Sequence, residues 1–276
     1  MVSRHTLVSL QRFICGCAAA SLCLPWALSQ PAKTPPDSRQ PVLVELFTSE
    51  GCSDCPPADA LLARLDSTQP IAGVEAIVLS EHVTYWNHDG WRDPFSFDDI
   101  DLRQQEYARL FSLTDVYTPQ IVVDGAEQFV GSDANHLERA VVHAAQTPKA
   151  QLQIEGARLE SDGRVDFSVQ AAKGVKGSLI AALAQDATTS HVVRGENAGR
   201  TLHHVAVVRA IKEFGGKAVD GRALRLSGAP PENAGNAATP LRLVVFLVNT
   251  SNGHIASVAE QTLSAQAPTP STQAAK

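Results

Sequence analysis

The chain has 276 residues, 44% of them apolar and 19% charged, with 23 basic against 29 acidic side chains and a formal net charge of -6. That length is enough to bury a large core and to form two domains, and the apolar fraction excludes wholesale disorder. The acidic balance argues against a nucleic-acid partner, which would require a basic face.

Residues 1–29 stand apart from the rest. They carry Arg4 and Arg12, no acids, and an apolar run from Phe13 to Leu28, with Ala27-Leu28-Ser29 placing small residues at the cleavage positions. This reads as a signal peptide, so the mature protein is expected to be periplasmic or secreted. The run is interrupted by Pro25 and is shorter than the ~20 residues that a spanning helix needs, so no membrane span is expected after cleavage. Cleavage would remove Cys15, Cys17 and Cys23, leave Cys52 and Cys55, and bring the balance to 21 basic against 29 acidic residues, net -8. Residues 30–40, with Pro31, Pro35 and Pro36, read as an extended linker.

The run from Val42 to Thr48 is apolar and β-branched and predicts a buried strand. A turn carrying Cys52-Ser53-Asp54-Cys55 follows, then a helix with Leu61, Leu62 and Leu65 on one face. A thiol at the start of a helix faces unpaired N–H groups, whose partial positive charge favours the thiolate. Asp54 and Glu50 oppose that field with their own negative charge.

Val74 to Ser80 reads as a second strand, parallel to the first across the helix. The next loop, Glu81 to Phe95, holds His82, His88, Trp86 and Trp91, and should lie beside Cys52 because loops leaving strand ends converge on one edge of such a sheet. The two indoles read either as an apolar platform for a substrate or as rings packed over a loop core. A helix to about Ser112 follows, capped by Ser96 or Asp98. Thr118-Pro119 then leads into a strand, and Asp124-Gly125 turns the chain into a returning strand from Glu127 to Val130. Ser132 is the expected cap of the next helix, whose apolar stripe is Leu137, Ala140, Val141 and Ala144.

Strand, Cys-x-x-Cys, helix, strand, helix, Thr-Pro, strand, Asp-Gly, strand, helix resembles the thioredoxin fold over residues 41–147. On that resemblance Cys52 is the nucleophile, Cys55 the resolving thiol and Thr118-Pro119 a cis step that docks substrate. Glu45 would be the buried acid that relays protons, although one extra residue separates it from the first cysteine. Gly51 stands where the family usually has Trp. Glu45-Leu-Phe-Thr-Ser-Glu-Gly-Cys-Ser-Asp-Cys-Pro-Pro, His82-Val-Thr-Tyr-Trp-Asn, Gly90-Trp-Arg-Asp-Pro-Phe and Val116-Tyr-Thr-Pro-Gln are together similar to a narrower exported bacterial family, domain of unknown function 1223. That resemblance implies a fold and a compartment and names no substrate.

Beyond Pro148 the pattern changes to short strands separated by Gly, Asp and Asn turns, over residues 152–159, 165–171, 178–185, 201–211, 241–249 and 255–263. The expected architecture is therefore an α/β thioredoxin-like domain (41–147) followed by an all-β, sandwich-like domain (150–263) and a disordered tail (264–276). His203 and His204 are adjacent, so one faces inward and the other outward. The loop Arg194 to Arg200 reads as a solvated turn, with partner binding as the alternative.

The leading functional expectation is an exported thiol-disulfide oxidoreductase with no cofactor, whose partners are exported proteins bearing thiols or disulfides and a redox partner protein. Two rivals remain at this point. One is a copper-handling protein using Cys52, Cys55 and His82 or His88, since soft sulfur with imidazole suits copper. The other is a non-catalytic binding scaffold in which the cysteines form a staple.

Overall fold

The computed structural model describes residues 39–228 and 240–263. The expected signal peptide and C-terminal tail lie outside these residues, as does the linker up to residue 38, and Gln40 already belongs to the first strand.

That strand, β1 (Gln40–Thr48), is buried at every position from Val42 to Thr48. A strand with no polar face belongs in the middle of a sheet. It pairs in parallel with β2 (Val74–His82) and antiparallel with β3 (Gln120–Val123). The crossover between β1 and β2 is α1 (Pro56–Thr68), whose tandem prolines fill the first turn, where a missing N–H breaks no helical bond. It ends at Gln69 in the left-handed region (φ 44), with that N–H donated to the Leu65 carbonyl.

From β2 the chain passes through α2 (Asp98–Leu110) and enters β3 across a cis Thr118–Pro119 bond, the isomer expected from the sequence. Asp124 and Gly125, both at positive φ (49 and 63), then turn it into β4 (Glu127–Val130). The last helix is α3 (Ala134–Ala144), and its cap is Asp133 in place of the expected Ser132. The Asp133 carboxylate accepts the His136 N–H at 2.9 Å. Asp133→Ala should lower stability by about 1 kcal/mol, read as a lower urea midpoint with an unchanged slope.

The second half supplies β5 (Leu152–Leu159), β6 (Arg164–Ala171), β7 (Ser178–His191), β8 (Thr201–Glu213), a short 3-10 turn, β9 (Leu224–Ser227), β10 (Leu241–Val248) and β11 (Ile255–Leu263). Its arrangement corrects the expected boundary between residues 147 and 150. One eight-stranded sheet runs β11-β10-β7-β8-β2-β1-β3-β4, so strands of the second half extend the sheet begun by the first. β8 lies parallel to β2 with Val207 opposite Ser80, and the described residues do not divide into two compact units.

The physical reason is that β7 and β10 have two apolar faces. Ile180, Ala182, Ala184, Val244 and Phe246 join the core that holds β1 and α1. The alternating Leu179, Ala181, Leu183, Leu243, Val245 and Leu247 pack instead on Val165, Phe167 and Leu226 of a small sheet, β5-β6-β9. The sandwich-like layering expected for residues 150–263 is thus one side of a shared sheet and not a domain of its own. β8 also covers the β2 edge, which would otherwise present unpaired backbone groups. Arg242 of β10 adds a tie to α1, donating to both Asp66 oxygens at 2.7 and 2.9 Å. Among the described residues no helix is long and apolar enough to cross a membrane.

Candidate active site around the Cys52–Cys55 disulfide

β1 delivers the chain into a tight turn. The Ser49 hydroxyl oxygen accepts the Gly51 N–H at 3.0 Å, and the Ser49 carbonyl accepts the Cys52 N–H at 3.2 Å. Cys55 sits at the cap of α1, its carbonyl accepting the Ala58 and Asp59 N–H groups at 2.9 and 3.1 Å. Cys52 and Cys55 are joined by a disulfide at this strand-to-helix junction. Ser53 and Asp54 between them are exposed, yet Cys52 is only 1% exposed and Cys55 not at all.

Behind the disulfide lies a buried group of charges drawn from three elements. Asp59, one turn after Cys55 on the same face of α1, accepts the Thr48 hydroxyl at 2.9 Å. Glu50 accepts the Trp91 indole N–H at 2.8 Å. His204 of β8 stands between the two carboxylates, with Nε2 3.4 Å from Glu50 and Nδ1 3.6 Å from Asp59. Burial opposes a charge on His204, but Asp59 and then Glu50 outweigh it and push the imidazole up to about 10. His204 is therefore an imidazolium at neutral pH.

A second buried histidine braces the first. The His82 ring meets the His204 ring edge to face, with centroids 4.7 Å apart, and its Nδ1 lies 2.7 Å from Asp93 Oδ2. Asp93 also accepts the Glu50 and Phe95 N–H groups at 2.8 and 2.9 Å. Burial works against its ionisation, but His82 and these donors hold the carboxyl below its ordinary value. Ser80 Oγ is 3.3 Å from His82 Nε2, giving hydroxyl, imidazole and carboxylate in series. All three are at most 1% exposed, and His82 with Asp93 ties the end of β2 to the loop that follows it.

Both tryptophans singled out in the sequence flank the site and are half-buried. Trp86 donates to the Thr118 hydroxyl at 2.8 Å, and a Cβ placed on Gly51 would lie 3.0 Å from the Trp86 Cβ, which is why glycine precedes Cys52. Pro119 stands near the first turn of α1, because a Cβ on Gly131 would be 3.2 Å from both Ala58 and Pro119. The structure thus gathers Cys52, Cys55, Trp86, Trp91, Thr118 and Pro119 around one junction.

Glu45 is not in that group. Thr48 faces α1 through Asp59, whereas Glu45, an odd number of residues earlier in the strand, faces α2. Its oxygens accept from Arg103 Nε at 2.6 Å and from the Tyr107 hydroxyl at 2.5 Å. His88 is an exposed loop residue whose ring lies 3.4 Å from Asp89. Among the described residues no three His, Cys, Asp or Glu side chains are grouped as a metal site, and the sulfurs of Cys52 and Cys55 are bonded to each other.

The family model described as protein of unknown function, DUF1223, matches residues 43–248. The protein belongs to the DUF1223 family. Its matched span runs from β1 to the end of β10 and so includes both the disulfide and His204. The structure of protein AGR_C_4864 from Agrobacterium tumefaciens is similar to that of this DUF1223 protein, with a TM-score of 0.59 at 23% identity, over 82% of this chain and 94% of that one. The same fold is therefore present in both. HBP35 of Porphyromonas gingivalis aligns at a TM-score of 0.47 and 16% identity, covering 86% and 80% of the two chains. A domain of the outer membrane lipoprotein Omp28 from the same organism aligns at 0.22 and 14%, over 43% of this chain and 99% of that one. Comparison with curated proteins gave no match.

Sequence reasoning missed several residues of the DUF1223 site. Asp59 carried a usable signal, since it follows Cys55 by four residues on a helix. The alternation of His203 and His204 required one of them to face inward but left open which; the structure buries His204, at 2% exposure, and its partners were not legible. Asn197 lies in the loop read as a solvated turn, yet it is fully buried against the dithiol turn.

Proposed function

We propose that this DUF1223 protein is an exported thiol-disulfide oxidoreductase with a thioredoxin-like active end. The observation that carries the reading is the disulfide at a strand-to-helix junction backed by the buried Glu50–His204–Asp59 group. The strand order β2-β1-β3-β4 with its helices, and Pro119 beside the first turn of α1, support the thioredoxin-like part. The exported location rests on the Arg4, Arg12 and Phe13–Leu28 pattern of the sequence, and a disulfide persists most readily in an oxidising compartment.

In the reduced protein the Cys52 thiolate attacks one sulfur of a substrate disulfide, and the other substrate sulfur leaves with the bonding pair and takes a proton. The Cys55 thiolate then attacks Cys52 Sγ, releasing the second substrate thiol and re-forming the Cys52–Cys55 bond. The same steps in reverse oxidise a dithiol. Proton handling falls to Glu50, Asp59 and His204 and not to Glu45, whose oxygens are engaged on the other face of the sheet. Thr118 and Pro119, with Trp86 and Trp91, form the surface against which a substrate segment would dock. Exported proteins with thiols or disulfides are the partners this chemistry requires.

The test is asymmetric trapping. Cys55→Ala should accumulate mixed disulfides that disappear on reduction, at several times the level seen with Cys52→Ala, when adducts are counted by mass spectrometry after alkylation. Equal trapping by the two variants, or none in either, would remove the assigned roles.

A further inference from the structure

The connection between β7 and β8 does not extend into solvent. Residues 192–200 fold back over the dithiol turn and are closed on themselves, with Val192 N–H donated to the Arg200 carbonyl at 3.0 Å and Gly199 N–H to the Val192 carbonyl at 2.7 Å. At the tip one side chain points inward among exposed neighbours. Asn197 donates its amide to the Glu50 carbonyl at 2.9 Å and to the Cys52 carbonyl at 2.8 Å. Its own amide oxygen accepts from Arg200 Nη1 at 2.9 Å, which fixes the orientation of the amide. Glu196 accepts the Ser53 N–H at 3.0 Å from the middle of the Cys-x-x-Cys turn. Gly195 adopts φ +76 where a Cβ would lie 3.1 Å from the Asp89 carbonyl and 3.2 Å from the Trp91 Cβ, so the tip also rests on the aromatic loop.

These contacts pose a chemical problem. An attacking thiolate must approach Cys52 Sγ along the line of the S–S bond, and Cys52 is 1% exposed. Ser53 and Asp54, between the two cysteines, are exposed, so exposure is lost at the sulfurs and not at the tip of the turn. The backbone of the turn is held by groups from outside it, namely the Asn197 amide and the Glu196 carboxylate.

We propose that the β7–β8 tip is a cover that determines which thiols reach the Cys52–Cys55 bond, with Asn197 as its latch and Glu196 as a second, outer contact. This rests on the dithiol being the working group. A partner protein reaches the disulfide only when the tip is displaced, and Arg194 and Val193, the latter 61% exposed, are the residues it would meet first. The tip acts on access and leaves the chemistry unchanged. Two thiols are still oxidised to one disulfide as the Cys52–Cys55 bond is reduced.

The test is the rate at which dithiothreitol reduces the oxidised full-length protein, followed by acid quenching, alkylation and mass. The urea-unfolded protein sets the uncovered rate. Folded wild type should react at least roughly tenfold more slowly than this reference, Asn197→Ala should recover roughly tenfold, and Glu196→Ala roughly two- to threefold, because a buried two-bond latch outweighs one exposed contact. Arg225→Ala, which breaks an exposed pair with Asp166 on the small sheet, should leave the rate at the wild-type value. Wild type reacting at the unfolded rate overturns the proposal, and so do Asn197 and Glu196 variants that react at the wild-type rate. If Asn197→Ala fails to fold, Glu196→Ala decides, since it removes only an exposed acceptor. Failure of the oxidoreductase reading looks different. A gated disulfide whose Cys55→Ala form traps no partner leaves the cover standing and sinks the enzyme.

Discussion

Arg103→Met should destabilise the protein by about 3–5 kcal/mol, the loss typical of removing one partner from a buried charge cluster. Arg103 on α2 is 7% exposed and lies between Glu45 and Glu81, both fully buried. Its Nε donates to Glu45 at 2.6 Å, and its Nη2 donates to the Tyr107 hydroxyl at 2.9 Å. The guanidinium also lies over the Tyr107 and Phe246 rings, 4.9 Å from each centroid. Glu81, with Arg103 Nε 3.7 Å away, is pushed well above the usual carboxylate range by burial and then by Glu45, against the pull of Arg103. Methionine fills the space of the stem but leaves the buried Glu45 side chain without its guanidinium partner and with the Tyr107 hydroxyl as a donor. Urea denaturation monitored by circular dichroism measures the loss. A change below about 1 kcal/mol would show that the cluster adjusts by taking up a proton at little cost. Disulfide reduction by dithiothreitol should change far less than in the Asn197 variant, because Glu45 is on the face of the sheet away from α1.

His204→Gln should cost a similar amount at pH 7, and its pH dependence separates it from a simple packing defect. The folded imidazole titrates at about 10 against an ordinary value of 6.5. Its folded value is raised, so its contribution is fully present below about pH 6.5 and is lost as pH rises through about 10. The interval corresponds to a few kcal/mol, on the order of 1.4 for each unit. In His204→Gln the Glu50 and Asp59 carboxylates face each other with no cation between them. The stability difference between wild type and variant should therefore be largest at and just below about pH 6.5 and shrink steadily as pH rises toward 10. Other groups that titrate in this range are common to both proteins and cancel in the difference. A difference that stays constant from pH 6 to 11 would show that His204 acts by shape alone. Trapping by the Cys55→Ala protein should also weaken when His204→Gln is added, if the group handles protons for the dithiol.

The elements themselves were legible in the sequence. Val42–Thr48, Val74–Ser80 and the Asp124-Gly125 hairpin announced themselves by apolar runs and turn chemistry. The strands expected at residues 152–159, 201–211 and 255–263 lie within or coincide with β5, β8 and β11. Such signals are local, because an element's period and its breakers are written within ten residues of each other. Cys52 and Cys55 were legible for the same reason.

What only the tertiary structure decided is which elements share a surface. An all-apolar strand says that both its faces are covered but not by what, so β7, β8 and β10 read as a separate sandwich when they continue the sheet of β1 and β2. That pairing brings His204 to Glu50 and Asp59, and the β7–β8 tip to Cys52, across more than 140 residues of chain. Glu45 shows the same limit on a smaller scale. One residue of offset in a strand turns a side chain to the opposite face, and it was the docking of α1 and α2 on opposite faces that left Glu45 with Arg103 and gave the disulfide to Asp59.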